Sequence, residues 1–479
     1  MTIKTEQTQG DSPQTGALYR AVWRWHLYAG LFVAPFAIFL AITGAIYLWK
    51  PQFEEWRYRT LFNVPIQAAN VSPDAQLAAA RAAYPSWFAQ QLTPSLHPGR
   101  TTDIVMIDPT GAKHSVFVDP HTGQVVGEMA DKSRFMATLH DLHDSLLLGK
   151  GNVGEVFIEV AASWAVVLLV TGFYLWWPRP FTVRGFLLPR LGAGRRALLR
   201  DLHAVPAVWL SGLTLILIST GLPWSSINGK WLKTVGQAIG EWQPRESAAS
   251  AHRSELLGGW SPFLKDKALA AKVANVASEP APAEDEHAMH RGHVPPPVAT
   301  PIDPAHPPIS LARVMDIARE HQVNYAYYIV LPQGPRGVYS ILTDSNLAFT
   351  ATFIHLDQYS GKVLADVRYK DFGLLAKFFA VGKSLHMGTL FGLPNQIVGL
   401  VAALGVMLLA STGVAMWWSR RPAGRLAALT KLPTFSLPKG AVVIVVVLAA
   451  ILPLMAATLV FFFVLDRTVL RRLPLLRLA

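Results

Sequence analysis

Four histidines occupy matching places in two copies of one helix-pair pattern. His26 stands seventeen residues before Thr43-Gly44, and His203 stands the same distance before Thr220-Gly221. The partner segments repeat as well. LHDSLLLG (142–149), followed by Thr171-Gly172, corresponds to LHMGTLFG (385–392), followed by Thr412-Gly413, with two residues fewer in the second interval. His143 and His386 are therefore equivalents. Neutral imidazole is a common transition-metal ligand, and a histidine at the edge of an apolar span is costly unless it has a partner. A doubled helix pair with one histidine per helix can hold a metal cofactor inside a bundle.

Haem iron takes two axial ligands facing each other across a planar ring. The charge pattern described below puts His26 and His203 at one membrane face and His143 and His386 at the other. The expected sites are thus two b-type haems, one held by each pair. Zinc is the competing metal, but the histidines are divided between two faces and no acid or thiolate joins either pair. His140, one turn before His143, is the alternative outer ligand or a neighbour of it; His143 is favoured because it matches His386. Seventeen helical residues rise about 26 Å, so the Thr-Gly pairs of the first and third spans are expected near the outer haem. There glycine would let a macrocycle approach the backbone, or would simply pack helices closely. Glu155 and Glu159, one turn apart at the entrance of the second span, share a face. They are read either as assisting substrate iron, a haem-edge network or proton movement, or as lining an aqueous vestibule with no special role.

With 479 residues, 51% hydrophobic and 15% charged, the chain is too apolar for an ordinary soluble protein. Apolar stretches at 27–49, 160–177, 204–227, 397–418 and 441–465 each approach or exceed the roughly 20 residues that cross a bilayer. The first lacks a small-residue cleavage site and reads as an anchor more than a removable signal. The net charge of +12 is concentrated in the short loops after the second and fourth spans, while the two long insertions are nearly neutral. By the positive-inside rule the basic loops and the N-terminus are cytoplasmic and the insertions lie outside. This accounts for the charge with the lipid bilayer as partner and no nucleic acid. The absence of cysteine excludes disulfides, thiolate-ligated haem and iron-sulfur clusters. No Gly-rich dinucleotide fingerprint follows a strand, so any electron donor is external. Tryptophans at span ends (Trp49, Trp176, Trp177, Trp417, Trp418) read as aromatic belts.

The expected fold is an α-helical polytopic membrane protein, a duplicated helix-pair bundle of four spans plus a fifth C-terminal span, with two α+β periplasmic insertions. In order it has a tail (1–26), span one (27–49), the first insertion (50–142), an outer-histidine segment with span two (143–178) and a basic loop (179–202). Span three (203–227), a linker with the second insertion (228–385), and an outer-histidine segment with span four (386–418) follow. A second basic loop (419–440), span five (441–465) and a basic tail (466–479) complete the chain. Pro453, midway along the fifth stretch, leaves a kinked span and a re-entrant hairpin both open. The insertions show the same pattern: a helix (73–83; 310–321), alternating strand segments (DIVMID, KHSVFVD; YAYYIVL, GVYSILT, ATFIHLD) and an Asp four residues before a turn Gly (Asp119 and Gly123; Asp357 and Gly361). The region 241–308 reads as a Pro-, Ala- and Glu-rich linker with little core of its own. Its His287, Met289, His290 and His293 are read as solvated, or as a tract able to bind transition metals. His97, His114, His121, His252, His306, His321 and His355 read as surface or turn residues.

The segments around His26 (WRWHLYAGLFVAPFAIFLAITGAIYLW) and His203 (RDLHAVPAVWLSG), with the two LH…TG segments, resemble the PepSY-associated transmembrane, or PiuB-like iron-regulated, family over nearly the whole chain. The resemblance implies PepSY modules in the insertions and an inner-membrane ferric-siderophore reductase. On that pattern His26, His143, His203 and His386 ligate two haems, iron is reduced in the periplasm, and electrons come from a cytoplasmic reductase or quinol. Two other classes are weighed against it. One is a haem-free PepSY sensor or protease-regulating protein; the other is a metal-ion carrier with the His/Met linker as a capture arm. Neither requires the fourfold histidine repeat.

Overall fold

The computed structural model describes residues 13–148, 153–177, 187–190, 192, 194–255, 307–343, 347–421 and 438–468. In chain order the helices are α1 Pro13–Tyr47, α2 Lys50–Arg57, α3 Arg59–Phe62, α4 Pro73–Ala83, α5 Phe135–Ser145, α6 Val153–Trp176, α7 Arg195–Gly221, α8 Asn228–Ala238, α9 Leu311–Glu320, α10 Leu374–His386, α11 Leu393–Arg420, α12 Lys439–Ile451 and α13 Pro453–Thr468. The strands are β1 Phe88–Thr93, β2 Thr102–Ile107, β3 Lys113–Val118, β4 Val125–Ala130, β5 Tyr327–Val330, β6 Val338–Thr343, β7 Thr352–Asp357 and β8 Val363–Arg368. The chain forms two compact units. The first is Met1–Ile46, Asp141–Leu232 and Gln396–Ala479; the second is Tyr47–His140 and Lys233–Asn395. The His287/His290/His293 tract, His306 and most of the two basic loops lie outside the described residues.

Among the described residues four helices are long and apolar enough to cross a membrane: Gly16–Tyr47, Val153–Trp176, Arg195–Trp224 and Leu393–Arg420. The helices outrun the apolar stretches because helical hydrogen bonding continues into polar flanks, so His26 lies well inside α1. Leu210 packs where a Cβ on Gly405 would overlap it, which lets α7 and α11 approach closely. The fifth expected span is not one straight helix. Pro453 has no N–H to continue the ladder, and α12 and α13 meet at a bend of 119°. At 13 and 16 residues they rise about 20 and 24 Å, each short of the roughly 30 Å hydrocarbon thickness. The carbonyls freed at the break need partners in an apolar medium. Asn228 Nδ2 donates to Ile451 O (2.8 Å) and Trp231 Nε1 to Ala450 O (3.2 Å).

That break is tied to Glu159. Its carboxylate accepts the backbone N–H groups of Ile227 (3.0 Å) and Asn228 (2.8 Å), capping α8 where the first N–H groups of a helix lack partners. Glu155 and Glu159 are both buried, Glu159 to 1% exposure. The aqueous vestibule weighed for them is thus corrected, and Glu159 does structural work at a helix N-terminus. Trp164 Nε1 adds a bond to Thr458 Oγ1 (3.0 Å), and Val33, Val160, Trp164, Leu222, Leu452 and Met455 form the buried apolar cluster beside it.

The second unit contains one antiparallel sheet of order β4-β3-β2-β1-β5-β6-β7-β8. The two insertions are therefore not separate modules. They join edge to edge through β1 and β5 (Gln91 with Val330, Leu92 with Ile329), and residues of both build one core against α4 and α9. Each of these helices starts at a serine cap, Ser72 accepting from Ala75 N and Ser310 from Arg313 N. Asp74 of α4 also accepts from Leu311 N at 2.8 Å, so the first half caps the helix of the second. The predicted Asp/Gly turns form as expected. Asp119 and Asp357 accept backbone and hydroxyl donors of their own turns, and Gly123 and Gly361 adopt φ of +72° and +71°, where a side chain is strained.

Two expectations fail in this unit. His355 is fully buried: Nε2 meets Ser247 O at 2.9 Å and Nδ1 meets Ser340 Oγ at 2.8 Å, and the His252 ring stacks on it at 5.0 Å. Burial lowers its pKa from 6.5 to about 4. Through this contact the start of the supposed linker, 241–255, is docked. Ser254 is buried and accepts from Gln358 N (2.8 Å), while Glu255 N donates to Asp357 (2.7 Å).

Candidate functional site

Three of the four Thr-Gly pairs are seats for histidines of another helix. Thr171 of α6 lies 2.9 Å from His26 Nδ1 of α1, and Thr43 of α1 lies 2.7 Å from His143 Nδ1. In the second repeat His203 Nδ1 of α7 lies 3.3 Å from Thr412 Oγ1 of α11 and 2.9 Å from Leu409 O. The glycine after each threonine makes room for the same ring. A Cβ would stand 3.3 Å from His143 Cε1 at Gly44, 3.3 Å from His26 Cε1 at Gly172 and 3.4 Å from His203 Cε1 at Gly413. At these three positions the glycine admits an imidazole.

His26 and His203 come together, their ring centroids 6.3 Å apart and their planes at 85°. A metal–imidazole nitrogen bond is about 2 Å and the ring centre lies about 1.1 Å behind that nitrogen, so two axial imidazoles on one metal put their centroids roughly 6 Å apart. The His26–His203 centroid separation is of that size, and each ring is anchored through Nδ1, to a third and a fourth helix. Along α1 this pair and the Thr43–His143 contact are separated by about 26 Å of helix, so the first unit carries an imidazole position toward each end of its spans.

Asp201, two residues before His203 and 0% exposed, fixes the start of α7. Its carboxylate accepts from Arg190 N (3.0 Å), Nε (2.8 Å) and Nη2 (3.1 Å) and from Arg200 Nε (3.1 Å) and Nη2 (2.9 Å). The charge pattern of the basic loop around Asp201 carries no sign of this clamp. The clamp became visible once Arg190 folded back onto it.

His143 sits in the last turn of α5, followed by Leu146 and Leu147 at φ of +55° and +61°, a conformation costly for leucine. His386 ends α10 in the second unit. The turn after it is fixed by Ser384 O, which accepts Thr389 N (2.9 Å) and Leu390 N (3.1 Å), and by Asn395 Nδ2, which donates to Leu385 O (3.0 Å). His140 packs its ring on Tyr47 at 5.6 Å, away from the Thr-Gly pattern that His143 shares with His26 and His203. Among the described residues no three His, Asp or Glu side chains are grouped as a metal site.

A family model described as the PepSY-associated TM region matches residues 23–420. The chain belongs to that family. The match takes in all four repeated histidines, their threonines and both halves of the sheet, and it makes this PepSY-associated protein a multi-pass membrane protein. No curated protein matches the chain.

Proposed function

We propose that this PepSY-associated protein is a di-haem b reductase of the bacterial inner membrane that reduces periplasmic ferric siderophore and releases Fe(II). The observation that carries the reading is the His26–His203 pair, two imidazoles from different repeats with ring centroids 6.3 Å apart. Haem b, when bound, supplies a one-electron Fe(III)/Fe(II) couple. His26 and His203 would hold one haem, His143 and His386 the other.

The chain's own residues supply binding and orientation. Thr171 and Leu409 hold the His26 and His203 rings by Nδ1, and Asp201 with its arginines fixes the turn from which His203 projects. Thr43 and Gly44 seat His143 at the opposite end of α1. The helices that carry both positions are apolar along their length. One electron leaves an external donor, a cytoplasmic reductase or quinol, for each ferric ion that becomes ferrous. Siderophores hold Fe(III) through hard oxygen donors, and the lower charge of Fe(II) weakens that hold, so reduction frees the metal.

The test uses the purified full chain, reduced and freed of excess reductant. Anaerobic addition of a ferric siderophore with a ferrous chelator should reoxidise the haem bands and yield one Fe(II) per electron lost. Reduced bands that persist beside intact ferric siderophore would refute the proposal.

A further inference from the structure

We infer that Thr171, Thr412 and Thr43 are positioning residues that dictate which nitrogen of His26, His203 and His143 carries the proton, and thereby tune the couple at each site. The inference rests on the haem reading for its electrochemical consequence, but the tautomer itself does not depend on haem.

A proton count carries it. A threonine hydroxyl has one proton and two lone pairs. Thr171 Oγ1 lies 2.7 Å from Val167 O, Thr412 Oγ1 2.6 Å from Leu408 O, and Thr43 Oγ1 2.9 Å from Phe39 O. A carbonyl oxygen only accepts, so each hydroxyl has an acceptor for its proton inside its own helix. With the proton there, the oxygen presents a lone pair to the histidine and Nδ1 is the donor. A neutral imidazole carries one N–H, so Nε2 keeps the lone pair needed for a metal. The opposite tautomer would require each hydroxyl to turn from its helix carbonyl and give its proton to Nδ1, losing the bond inside its own helix. His203 gives an independent check, because Leu409 O, 2.9 Å from its Nδ1, can only accept. Donation by each threonine to its helix carbonyl also polarises its oxygen and strengthens it as an acceptor.

The seats are graded. His203 Nδ1 is shared between the Leu409 carbonyl and the more distant Thr412 hydroxyl, whereas His26 Nδ1 meets the Thr171 hydroxyl. An acceptor on the far ring nitrogen raises ligand basicity and favours Fe(III), and loss of such a partner typically costs 10–100-fold in related sites. Thr171→Val removes the acceptor at nearly constant volume. It should shift the reduction equilibrium of one haem toward Fe(II) by about tenfold, which is about 59 mV for a one-electron couple. Thr412→Val should shift it less, because Leu409 remains, and Thr171→Ser should restore the wild-type value.

The experiment is a potentiometric titration of the full-length variants, paired with the ¹⁵N histidine spectrum of the haem-free chain, assigned with His26→Ala and His203→Ala. Protonated Nδ1 on both histidines, scrambled at His26 in Thr171→Val and kept in Thr171→Ser, is the expected result. Protonated Nε2 in the wild type, or equal or absent potential shifts in the two valine variants with haem retained, would overturn the inference. If the wild-type chain takes up no haem, the proposed function fails, and the ¹⁵N spectrum still decides the tautomer.

Discussion

Gly172→Val probes the seat of His26. A Cβ at this position would stand 3.3 Å from His26 Cε1, inside the 3.5–4.0 Å at which carbon atoms normally rest. Alanine therefore asks the ring to yield by a few tenths of an ångström. Valine adds two methyls and requires a displacement of about 1 Å, which in a packed interior costs about 1–3 kcal/mol. At 1.4 kcal/mol per decade this is roughly a 5- to 150-fold loss of affinity at the His26 site. Gly44→Val makes the same intrusion on His143. Each variant should therefore lose one haem of two, Gly172→Ala falling between, with helix content unchanged by circular dichroism. Haem per chain is read by the pyridine haemochrome assay. Gly172→Val with full haem and an unaltered spectrum would refute the claim that the Thr-Gly pairs seat the ligands.

Burial of His355 makes the folded chain refuse a proton that the unfolded chain accepts between pH 6.5 and about 4. Stability should therefore fall as pH drops through that window, by up to about 3 kcal/mol, and His355→Gln should flatten the dependence in thermal unfolding at pH 7 and 4.5. Asp103 has the opposite sign: burial raises its carboxyl from 3.8 to about 6, and stability from its protonated form is lost as pH rises through 6. Asp103→Asn should thus stabilise the chain at pH 7.5 and have little effect at pH 4. Glu159→Ala strips two backbone N–H groups of their acceptor, so a loss of about 2–4 kcal/mol is expected, seen as a lower Tm and faster proteolysis near Leu452. Glu159→Gln, which keeps an acceptor, should lose less, and equal stability of the two variants would exclude the capping role.

The helix starts at Ser72 and Ser310 and the Asp119 and Asp357 turns were readable from sequence because each is a local rule about caps and turn glycines. The strand β1 was not. Gln90 and Gln91 hide its alternation, and a register shift between Ala89 and Gln91 breaks the period of two. Without β1, the union of the two insertions into one sheet could not be foreseen, since it rests on β1 pairing with a strand more than two hundred residues away. The four histidines were legible because the chain is duplicated. Their threonine partners were in view as Thr-Gly pairs, but sequence spacing gave no sign that α1 and α6 exchange seats. Glu159 and His355 were misread for one reason: their partners, Asn228 and Ser247, are brought to them only by the fold. Pro453 marked the break in the last apolar stretch, but not the angle.

On the proposed function, His26 and His203 would jointly hold one haem and His143 would serve another. Absorption spectra of the purified chain, oxidised and dithionite-reduced, with haem quantified per chain, test it most directly when His26→Ala, His203→Ala and the double variant are compared with wild type. Two low-spin b-type haems are expected in the wild type and one in all three variants, the double being no worse than either single. A colourless, folded wild-type chain, or single variants that lose different haems, would contradict it.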